Sequence, residues 1–166
     1  LLFDLTELQR HANRLLGWSA KKTLEIAQRL YEEKKAITYP RTDSRHLSRD
    51  VAKTLPDVLR ALEPAYGALF APGTLGRPLP GRFVDDARVT DHHAILPTRV
   101  VPRDLDGDER ALFDLIVRRL LAGWHEDHVA ATTTVVTAIT NAPTAGDRPT
   151  VDRYRSTGTA VLLSGW

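Results

Sequence analysis

The chain has 166 residues, of which 23 are lysine or arginine and 21 are aspartate or glutamate, giving a net charge of +2. It contains no cysteine, which excludes disulfides, thiolate nucleophiles and cysteine-bound zinc. No apolar run approaches the roughly 20 residues of a membrane-spanning helix, so we expect no membrane partner and a cytoplasmic location. Because the chain starts with Leu1 and lacks methionine, we expect it to be a piece of a longer polypeptide.

Two amphipathic helices are predicted at the start of the chain. Thr6 and Gln9 match a capping box for the first helix, and Gly17 is typical of its end. Ser19 is typical of the N-cap of the second helix. Apolar residues recur at helical spacing in both segments, so each helix has one face for a core.

The middle of the chain is predicted to contain two further helices separated by a long irregular region. A third helix begins at Ser48 and is bent or divided at Pro56, where a backbone donor is missing. Proline and glycine break all periodicity from 64 to 102, and the tract Pro72–Pro80 indicates a surface loop. Residues 107–123 carry a doubled apolar stripe, which predicts the clearest helix of the sequence.

The last part of the chain is rich in threonine and valine, which favour strands. We predict one strand at Val129–Ile139, a turn at Asn141–Pro149, and a second strand at Tyr154–Leu163 that is interrupted near Gly158. Two strands cannot bury a sheet face alone. They are therefore expected to belong to an incomplete domain, and self-association through their unpaired edges is expected.

These elements predict an α+β fold in two parts. Residues 1–124 form a mainly helical domain, and residues 125–166 supply strands to an adjoining β-rich, barrel-like domain. The formal charge is small although the isoelectric point is about 9.1, so any basic surface has to be local.

The stretch ITYPRTDS follows the second helix. Pro40 forces Tyr39 into an extended conformation, and residues two apart in an extended segment face the same way. Tyr39 and Arg41 can therefore present a phenol and a guanidinium to one anion. The alternative is a plain helix end, followed by a proline turn and a new helix capped by Asp43 or Ser44.

Four blocks occur in order along the chain: FDLTELQRHANRLLGWSAKKTLEIAQRLYE, ITYPRTDS, DHHAILPT and ERALFDLIVRRLLA. Read together, they resemble the type IA DNA topoisomerases, most closely the bacterial topoisomerase III branch. The resemblance implies that residues 1–124 are the tyrosine-bearing domain and that the later strands belong to the gate domain. It also implies a nucleoid-associated enzyme that breaks one DNA strand and passes another through the break.

In that family, the tyrosine at the Tyr39 position attacks a DNA phosphodiester and becomes linked to the 5′ phosphate. The resemblance therefore implies three catalytic residues, Tyr39, Arg41 and His92. Tyrosine is a poor nucleophile at neutral pH because its pKa is about 10. Arg41 cannot remove the proton, but it can offer paired donors to the phosphate oxygens and stabilise the charge of the transition state.

The two histidines of DHHAILPT are expected to point to opposite sides of an extended segment. The family places a functional histidine at His92, where it can donate a hydrogen bond or transfer a proton. The alternative is that one histidine binds local backbone and the other is solvated, while Asp91 orients a histidine or caps. A hydrolase that uses Asp91, His92 and His93 would need metal ligands from other segments, and no spacing supports it.

The resemblance further implies single-stranded DNA as a partner, together with the remaining domains of the parent protein. Gln28 lies one helical turn before Glu32, and both match positions along the single-strand path; Glu32 is equally consistent with a solvated or salt-bridged role. The complete set of expected DNA-binding residues is Gln28, Glu32, Thr38, Thr42, Asp43, Ser44, Arg45 and His93.

The acidic run DLDGDE resembles a metal site by its letters alone. It lies at the start of the strongest predicted helix, where Asp106 or Asp108 can cap and acidic charge favours the helix dipole. An EF-hand would need a glutamate where the chain has Leu115. We therefore expect no metal ligands in this chain. The resemblance places the Mg²⁺ ligands in a separate domain of the parent, so the chain alone should be inactive.

A different class of protein remains open, a module that binds single-stranded nucleic acid without chemistry. Such a module holds bases by stacking along a basic groove. It would require Trp18, Trp124 and Tyr66 to be exposed, so burial of these aromatic side chains would count against it.

Overall fold

The computed structural model describes residues 1–141 and 149–165. The described chain forms, in order, helices α1 (Leu5–Leu16), α2 (Ala20–Glu32), α3 (Arg49–Tyr66) and α4 (Gly107–Leu121), then strands β1 (Val129–Asn141) and β2 (Thr150–Leu163). The predicted α+β class is confirmed. The two strands form an open antiparallel sheet and not a closed barrel.

The chain divides into two compact units, one spanning Leu1–His125 and the other beginning at Glu126. The first unit contains all four α-helices, and the second contains both strands. The assignment of these units to a tyrosine domain and a gate domain stays a prediction.

The start of α1 differs from the predicted capping box at Thr6. The N-cap is Asp4, whose Oδ1 accepts a hydrogen bond from the backbone N–H of Glu7 at 2.6 Å. Because Asp4 is the N-cap, Thr6 lies inside the first turn and does not form a capping box with Gln9. The predicted end is confirmed, since Gly17 is the C-cap with a φ of 69°.

Helix α3 begins after Ser48 as predicted, with the Ser48 hydroxyl accepting from the N–H of Val51 at 3.2 Å. The predicted division at Pro56 is wrong, because the helix continues through Pro56 and Pro64 to Tyr66. A proline inside a helix costs about 3 kcal/mol. Burial of an aliphatic side chain gives roughly 1.5–3 kcal/mol, so the buried residues of this helix outweigh the prolines. They are Leu55, Val58, Leu59 and Leu62.

The region after α3 is a series of single 3-10 turns between residues 67 and 88. Most of the tract Pro72–Pro80 is exposed, as predicted. It is also anchored to the core, because Thr74 and Leu79 are buried. Leu79 lies against Gly123, where an added Cβ would meet the Leu79 Cδ1 at 2.5 Å. A side chain at position 123 would require Leu79 to move.

The acidic run before α4 caps the helix, as predicted. Asp106 accepts from the N–H of Glu109, and the Glu109 carboxylate accepts from the N–H of Asp106, which completes a capping box. The same carboxylates also form ion pairs with α2 and the residue Lys34 beyond it, which the sequence did not indicate. The pairs are Lys22 with Asp108 at 2.8 Å, Arg29 with Asp106 at 3.3 Å, Arg29 with Glu109 at 3.2 Å, and Lys34 with Asp104 at 2.8 Å.

The core of the first unit lies where α2 packs against both α1 and α4. Its largest fully buried side chains come from the helices and from the extended segments that carry the candidate site; they are Phe3, Phe113, Leu2, Leu8, Leu30, Ile37, Leu47, Leu55, Leu59, Leu62, Ile95 and Leu112. Among the described residues, no helix is both long and apolar enough to cross a bilayer.

The second unit is a two-stranded ribbon in which every residue of β1 and β2 is exposed. The predicted interruption near Gly158 is wrong, because Gly158 pairs with Thr133 within a continuous ladder. The irregularity lies instead between Val129 and Ala130. Strand β1 continues to Asn141, and the rest of the predicted turn falls almost entirely on residues 142–148, which lie outside the described residues.

Candidate active site

The segment after α2 is held against a second extended segment, residues 94–98. Lys35 has a φ of 52°, which turns the chain out of the helix. The backbone N–H of Thr38 then donates to the Leu96 carbonyl at 2.8 Å, and the N–H of Leu96 donates to the Thr38 hydroxyl at 2.9 Å. Ile37 and Pro97 form an antiparallel bridge beside these bonds. Tyr39 therefore directly follows Thr38, which makes two hydrogen bonds with Leu96.

Burial alternates along residues 40–44, as expected for an extended segment with one outward side. Pro40, Thr42 and Ser44 are buried, whereas Arg41 and Asp43 are exposed. No helix begins at Asp43 or Ser44, because the next helix is capped by Ser48. The alternative of a plain proline turn into a helix at this point is therefore wrong.

The ring of Tyr39 lies against the imidazole of His92, with ring centroids 4.5 Å apart. The segment that carries His92 is fixed by the hydroxyl of Thr42, which donates to the His92 carbonyl at 3.0 Å. His93 contacts different groups: its Nδ1 lies 2.7 Å from the Ala94 carbonyl. The structure thus brings His92, and not His93, onto the ring of Tyr39.

Tyr31 is a member of this site that the sequence interpretation missed. Its ring meets that of Tyr39 edge to face, with centroids 5.4 Å apart, and the Lys35 ammonium lies 5.9 Å from the Tyr31 ring. The sequence placed Tyr31 only on the apolar face of α2. Its position in the last turn before the ITYPRTDS stretch is the signal that could have identified it.

Several polar atoms of the site have no protein partner. Among the described residues, the Tyr39 hydroxyl makes no hydrogen bond, and Arg41 is exposed and forms no ion pair. Lys35 and Arg41 supply positive charge on either side of Tyr39 in the sequence. A phenol with a free hydroxyl, an unpaired guanidinium and an imidazole within ring contact can receive an anion such as a phosphodiester.

The predicted DNA-binding residues fall into two structural groups. Gln28 is half-buried and Glu32 is exposed, one turn apart on α2 and next to Tyr31. Neither Gln28 nor Glu32 is hydrogen-bonded through its side chain to another described residue. Asp43 is also exposed. These three side chains are free to meet a ligand.

The second group binds protein backbone. The Ser44 hydroxyl donates to the Arg88 carbonyl at 2.7 Å, and the Ser44 N–H donates to the Thr42 hydroxyl at 3.1 Å. Arg45 is half-buried, and its Nε donates to the Leu2 carbonyl at 3.0 Å. These side chains hold the Tyr39 segment in place, and only the terminal nitrogens of Arg45 remain available.

The aromatic side chains that a stacking module would need are not presented to solvent. Trp18 and Trp124 are buried, with exposed fractions of 9% and 6%. Tyr66 is half-buried and its hydroxyl donates to the Asp114 carboxylate. Burial, followed by this hydrogen bond, raises the pKa of Tyr66 well above its usual range. This burial counts against the non-catalytic binding module.

The chain is similar to known DNA topoisomerases. A family model described as DNA topoisomerase matches residues 1–166. The chain is 41% identical to DNA topoisomerase 3 of Bacillus cereus, over 99% of this chain and 22% of that protein. It is 48% identical to DNA topoisomerase 3 of Bacillus subtilis, over 73% of this chain and 17% of that protein. The chain thus spans about a fifth of the length of these curated relatives. The resemblance stated from the motifs is confirmed, and the chain belongs to the DNA topoisomerase family.

Proposed function

We propose that this chain is the tyrosine-bearing part of a type IA DNA topoisomerase, which breaks one DNA strand transiently and passes another strand through the break. The observation that carries the proposal is the environment of Tyr39. Its hydroxyl has no partner among the described residues, its ring lies 4.5 Å from that of His92, and Arg41 is exposed two residues later. The order of the motifs and the family match support the same assignment.

In the proposed reaction, the Tyr39 oxygen attacks the phosphorus of a phosphodiester. A bond forms between the phenol oxygen and phosphorus, the bond from phosphorus to the 3′ oxygen breaks, and the 3′ oxygen leaves as a hydroxyl. The phenol loses one proton and the leaving oxygen gains one. His92 contacts the Tyr39 ring, and an imidazole is the side chain that most often transfers a proton in catalysis, so His92 is the candidate for this transfer.

Arg41 has a distinct task in this proposal. A guanidinium presents paired donors in a fixed plane, which matches two oxygens of a phosphate. Because negative charge accumulates on these oxygens in the transition state, the interaction strengthens as the reaction proceeds. The tyrosyl phosphodiester has a phenolate leaving group, so the freed 3′ hydroxyl can attack it and reseal the strand.

Tyr31 and two threonines orient the nucleophile. The ring of Tyr31, on α2, contacts the ring of Tyr39, and the ring of His92 contacts it as well. Thr38 and Thr42 flank Tyr39 in the sequence, and both form hydrogen bonds with the segment that carries His92. We propose that Thr38 and Thr42 act by positioning rather than by binding DNA.

The path of the single strand is proposed to follow the free polar groups around Tyr39. Gln28 and Glu32 on α2 would meet it before the reacting phosphate, and Asp43 and the terminal nitrogens of Arg45 would meet it beyond. His93 lines a separate cavity of about 330 Å³ with Thr38, so its contact would be to a neighbouring nucleotide. Ser44 is proposed to act through its backbone bonds.

The acidic run DLDGDE does not fit a catalytic Mg²⁺ site. The four carboxylates of DLDGDE, at positions 104, 106, 108 and 109, are bonded to Lys22, Arg29 and Lys34. We therefore propose that the Mg²⁺ ligands lie in another part of the parent protein, and that this chain alone does not cleave DNA.

The test uses the full-length parent protein with Mg²⁺ and single-stranded DNA labelled at its 5′ or 3′ end. After denaturation, we expect a covalent adduct that carries the 3′ label, because the protein keeps the 5′ phosphate side of the break. Tyr39→Phe should abolish the adduct. Tyr31→Phe is the matched control, since it removes a neighbouring hydroxyl, and it should retain the adduct. An adduct that survives Tyr39→Phe would disprove the assignment of the nucleophile.

A further inference from the structure

Two arginines of the first unit converge on one histidine, and neither contacts Tyr39 among the described contacts. On α1, the Nη2 of Arg14 lies 2.8 Å from the Nε2 of His11. From α4, the Nη2 of Arg119 lies 2.7 Å from the same nitrogen. The two guanidinium groups therefore lie close to each other. Arg119 reaches this place although it is 108 residues from His11 in the sequence.

This arrangement has more donors than acceptors. An imidazole nitrogen that accepts has a single lone pair, so it satisfies one guanidinium well and not two. The Nε of Arg119 is buried and has no hydrogen-bond partner. Among the described residues, neither Arg14 nor Arg119 forms an ion pair with a carboxylate, and the nearby Glu7 is bonded to Arg10 at 2.7 Å. An anion would supply the missing acceptors.

The surroundings hold Arg119 in place without neutralising it. Its guanidinium lies 4.5 Å from the centroid of the Phe3 ring, in the range of a cation–π contact. Phe3 also meets the His11 ring edge to face, with centroids 5.1 Å apart. A guanidinium that is fixed on an aromatic face loses less conformational entropy when it binds a ligand.

Arg45 adds a third cation. Its Nε donates to the Leu2 carbonyl at 3.0 Å, and its terminal nitrogens have no hydrogen-bond partner among the residues that the structure describes. Burial lowers the pKa of Arg119, and the charge of Arg45 is the next cause in order of size. The two guanidinium groups therefore act on each other electrostatically, and each would be relieved by negative charge placed between them.

We propose that Arg14 and Arg119, which both contact His11, form together with Arg45 at the end of the proposed single-strand path a further site that takes a DNA backbone phosphodiester. We call this group the arginine cluster. Planar guanidinium groups bind phosphate oxygens through paired hydrogen bonds, which is the chemistry that the surplus donors offer. The inference rests on the proposed function, because it assumes that DNA reaches this surface.

The position of Arg45 relates this site to the reacting tyrosine. Arg45 lies six positions after Tyr39, so their Cα atoms are at most about 22 Å apart. The phosphodiester bound there can belong to the strand that Tyr39 cuts, several nucleotides from the break, or to a second DNA segment. Both have the same chemistry, and the experiment separates them.

The test measures binding of the full-length parent to a long single strand and to a duplex, as a function of salt concentration. Each phosphate contact on a single strand contributes about 0.7 to the slope of log K against log salt concentration, and on a duplex about 0.9. We expect Arg14→Gln, which alters an exposed side chain, to reduce the slope by about one contact for one of the two DNA forms. The form affected identifies the source of the phosphodiester. Arg119→Gln should reduce the slope for the same form.

The matched control is Arg10→Gln, which removes an equal charge from the same helix where it is paired with Glu7. It should leave both slopes unchanged. If Arg14→Gln changes neither slope, or changes them no more than Arg10→Gln does, the proposal is wrong. The covalent adduct of Tyr39 with a short single strand is measured in parallel on the wild type, so a failure of the proposed function is recognised separately.

Discussion

The Thr42 hydroxyl donates to the His92 carbonyl at 3.0 Å, across 50 residues of sequence. The same hydroxyl accepts from the N–H of Ser44 at 3.1 Å. The buried Thr42 side chain thus joins the Tyr39 segment to the segment of His92. We infer that this bond supports the contact between the Tyr39 and His92 rings, because the two rings form no hydrogen bond to each other.

We therefore expect Thr42→Val to slow adduct formation in the full-length protein by about 10- to 100-fold. The substitution keeps the shape but leaves buried groups unpaired, at a cost of roughly 1–3 kcal/mol. Single-turnover rates of adduct formation give the measurement. Thr42→Ser retains the hydroxyl and should restore most of the rate. Equal rates for Thr42→Val and the wild type would show that the bond does not position His92.

Arg41→Lys tests whether a guanidinium or only a positive charge is required. We expect the cleavage rate to fall by about 10- to 100-fold, because an ammonium cannot offer two coplanar donors to the phosphate. The free energy of unfolding should not change, since Arg41 is exposed and has no ion pair among the described residues. Arg49→Lys, at an exposed arginine paired with Asp86, is the control and should keep the wild-type rate. A full rate with Arg41→Lys would limit Arg41 to electrostatic attraction.

The stability of the first unit should decrease as the pH falls below about 6.5. Burial lowers the pKa of His11, with Arg119 as the next cause, and burial also lowers the pKa of His46, followed by Arg88. Both histidines are thus more easily protonated in the unfolded chain than in the folded one. The unfolded state binds more protons in acid, so the free energy of unfolding is highest above the unfolded pKa and falls with pH.

Denaturant unfolding at pH 7.5 and pH 5.5 measures this effect. His11→Gln should reduce the difference between the two values, because it removes one of the titrating groups. A free energy of unfolding that is constant or rises towards pH 5.5 would contradict the assignment.

Glu109 and Asp104 allow a comparison of a buried and an exposed ion pair on the same helix start. The Glu109 carboxylate is 6% exposed, pairs with Arg29 and closes the capping box. We expect Glu109→Gln to lower the free energy of unfolding by about 1–3 kcal/mol, reduced from the buried-pair range because Arg29 is partly solvated. Asp104→Asn breaks the exposed pair with Lys34 and should leave the unfolding midpoint unchanged. Equal effects of the two substitutions would refute the distinction.

The ribbon of β1 and β2 should cause the isolated chain to associate. One face collects exposed apolar side chains, among them Val135 and Ile139, next to unpaired strand edges. Sedimentation at increasing concentration should show oligomers. Ile139→Lys should suppress them, whereas Thr134→Lys, on the other face of the same strand, should do so less. A monomer at all concentrations would contradict this expectation.

The sequence predicted features whose causes lie within a few residues. Ser19, Ser48 and Asp106 are caps as expected, since a cap depends on its own side chain and a donor two or three residues later. The capping box predicted at Thr6 is wrong because Asp4 binds a free N–H group at the start of the helix. The division predicted at Pro56 is wrong because burial of one side of α3 stabilises the helix by more than the missing hydrogen bond destabilises it. That burial depends on the rest of the fold.

The candidate site was predictable only in part for the same reason. The outward side of Arg41 follows from the local extended conformation, but no local signal joins His92 to Tyr39, and the resemblance alone related them. Tyr31 was missed because its role arises from the place where α2 ends against the Tyr39 segment. The pairing of the DLDGDE carboxylates with α2 was missed because it depends on how α2 and α4 pack.

The full exposure of β1 and β2 has a consequence for amide hydrogen exchange. Opening the ribbon removes hydrogen bonds without uncovering a core, so its amides should exchange through local opening at little cost. Amides in the buried turns of α4 should exchange only when the helical unit unfolds. The exchange profile of this chain should therefore have two plateaus, and the boundary between them should fall near His125, where the compact helical unit ends.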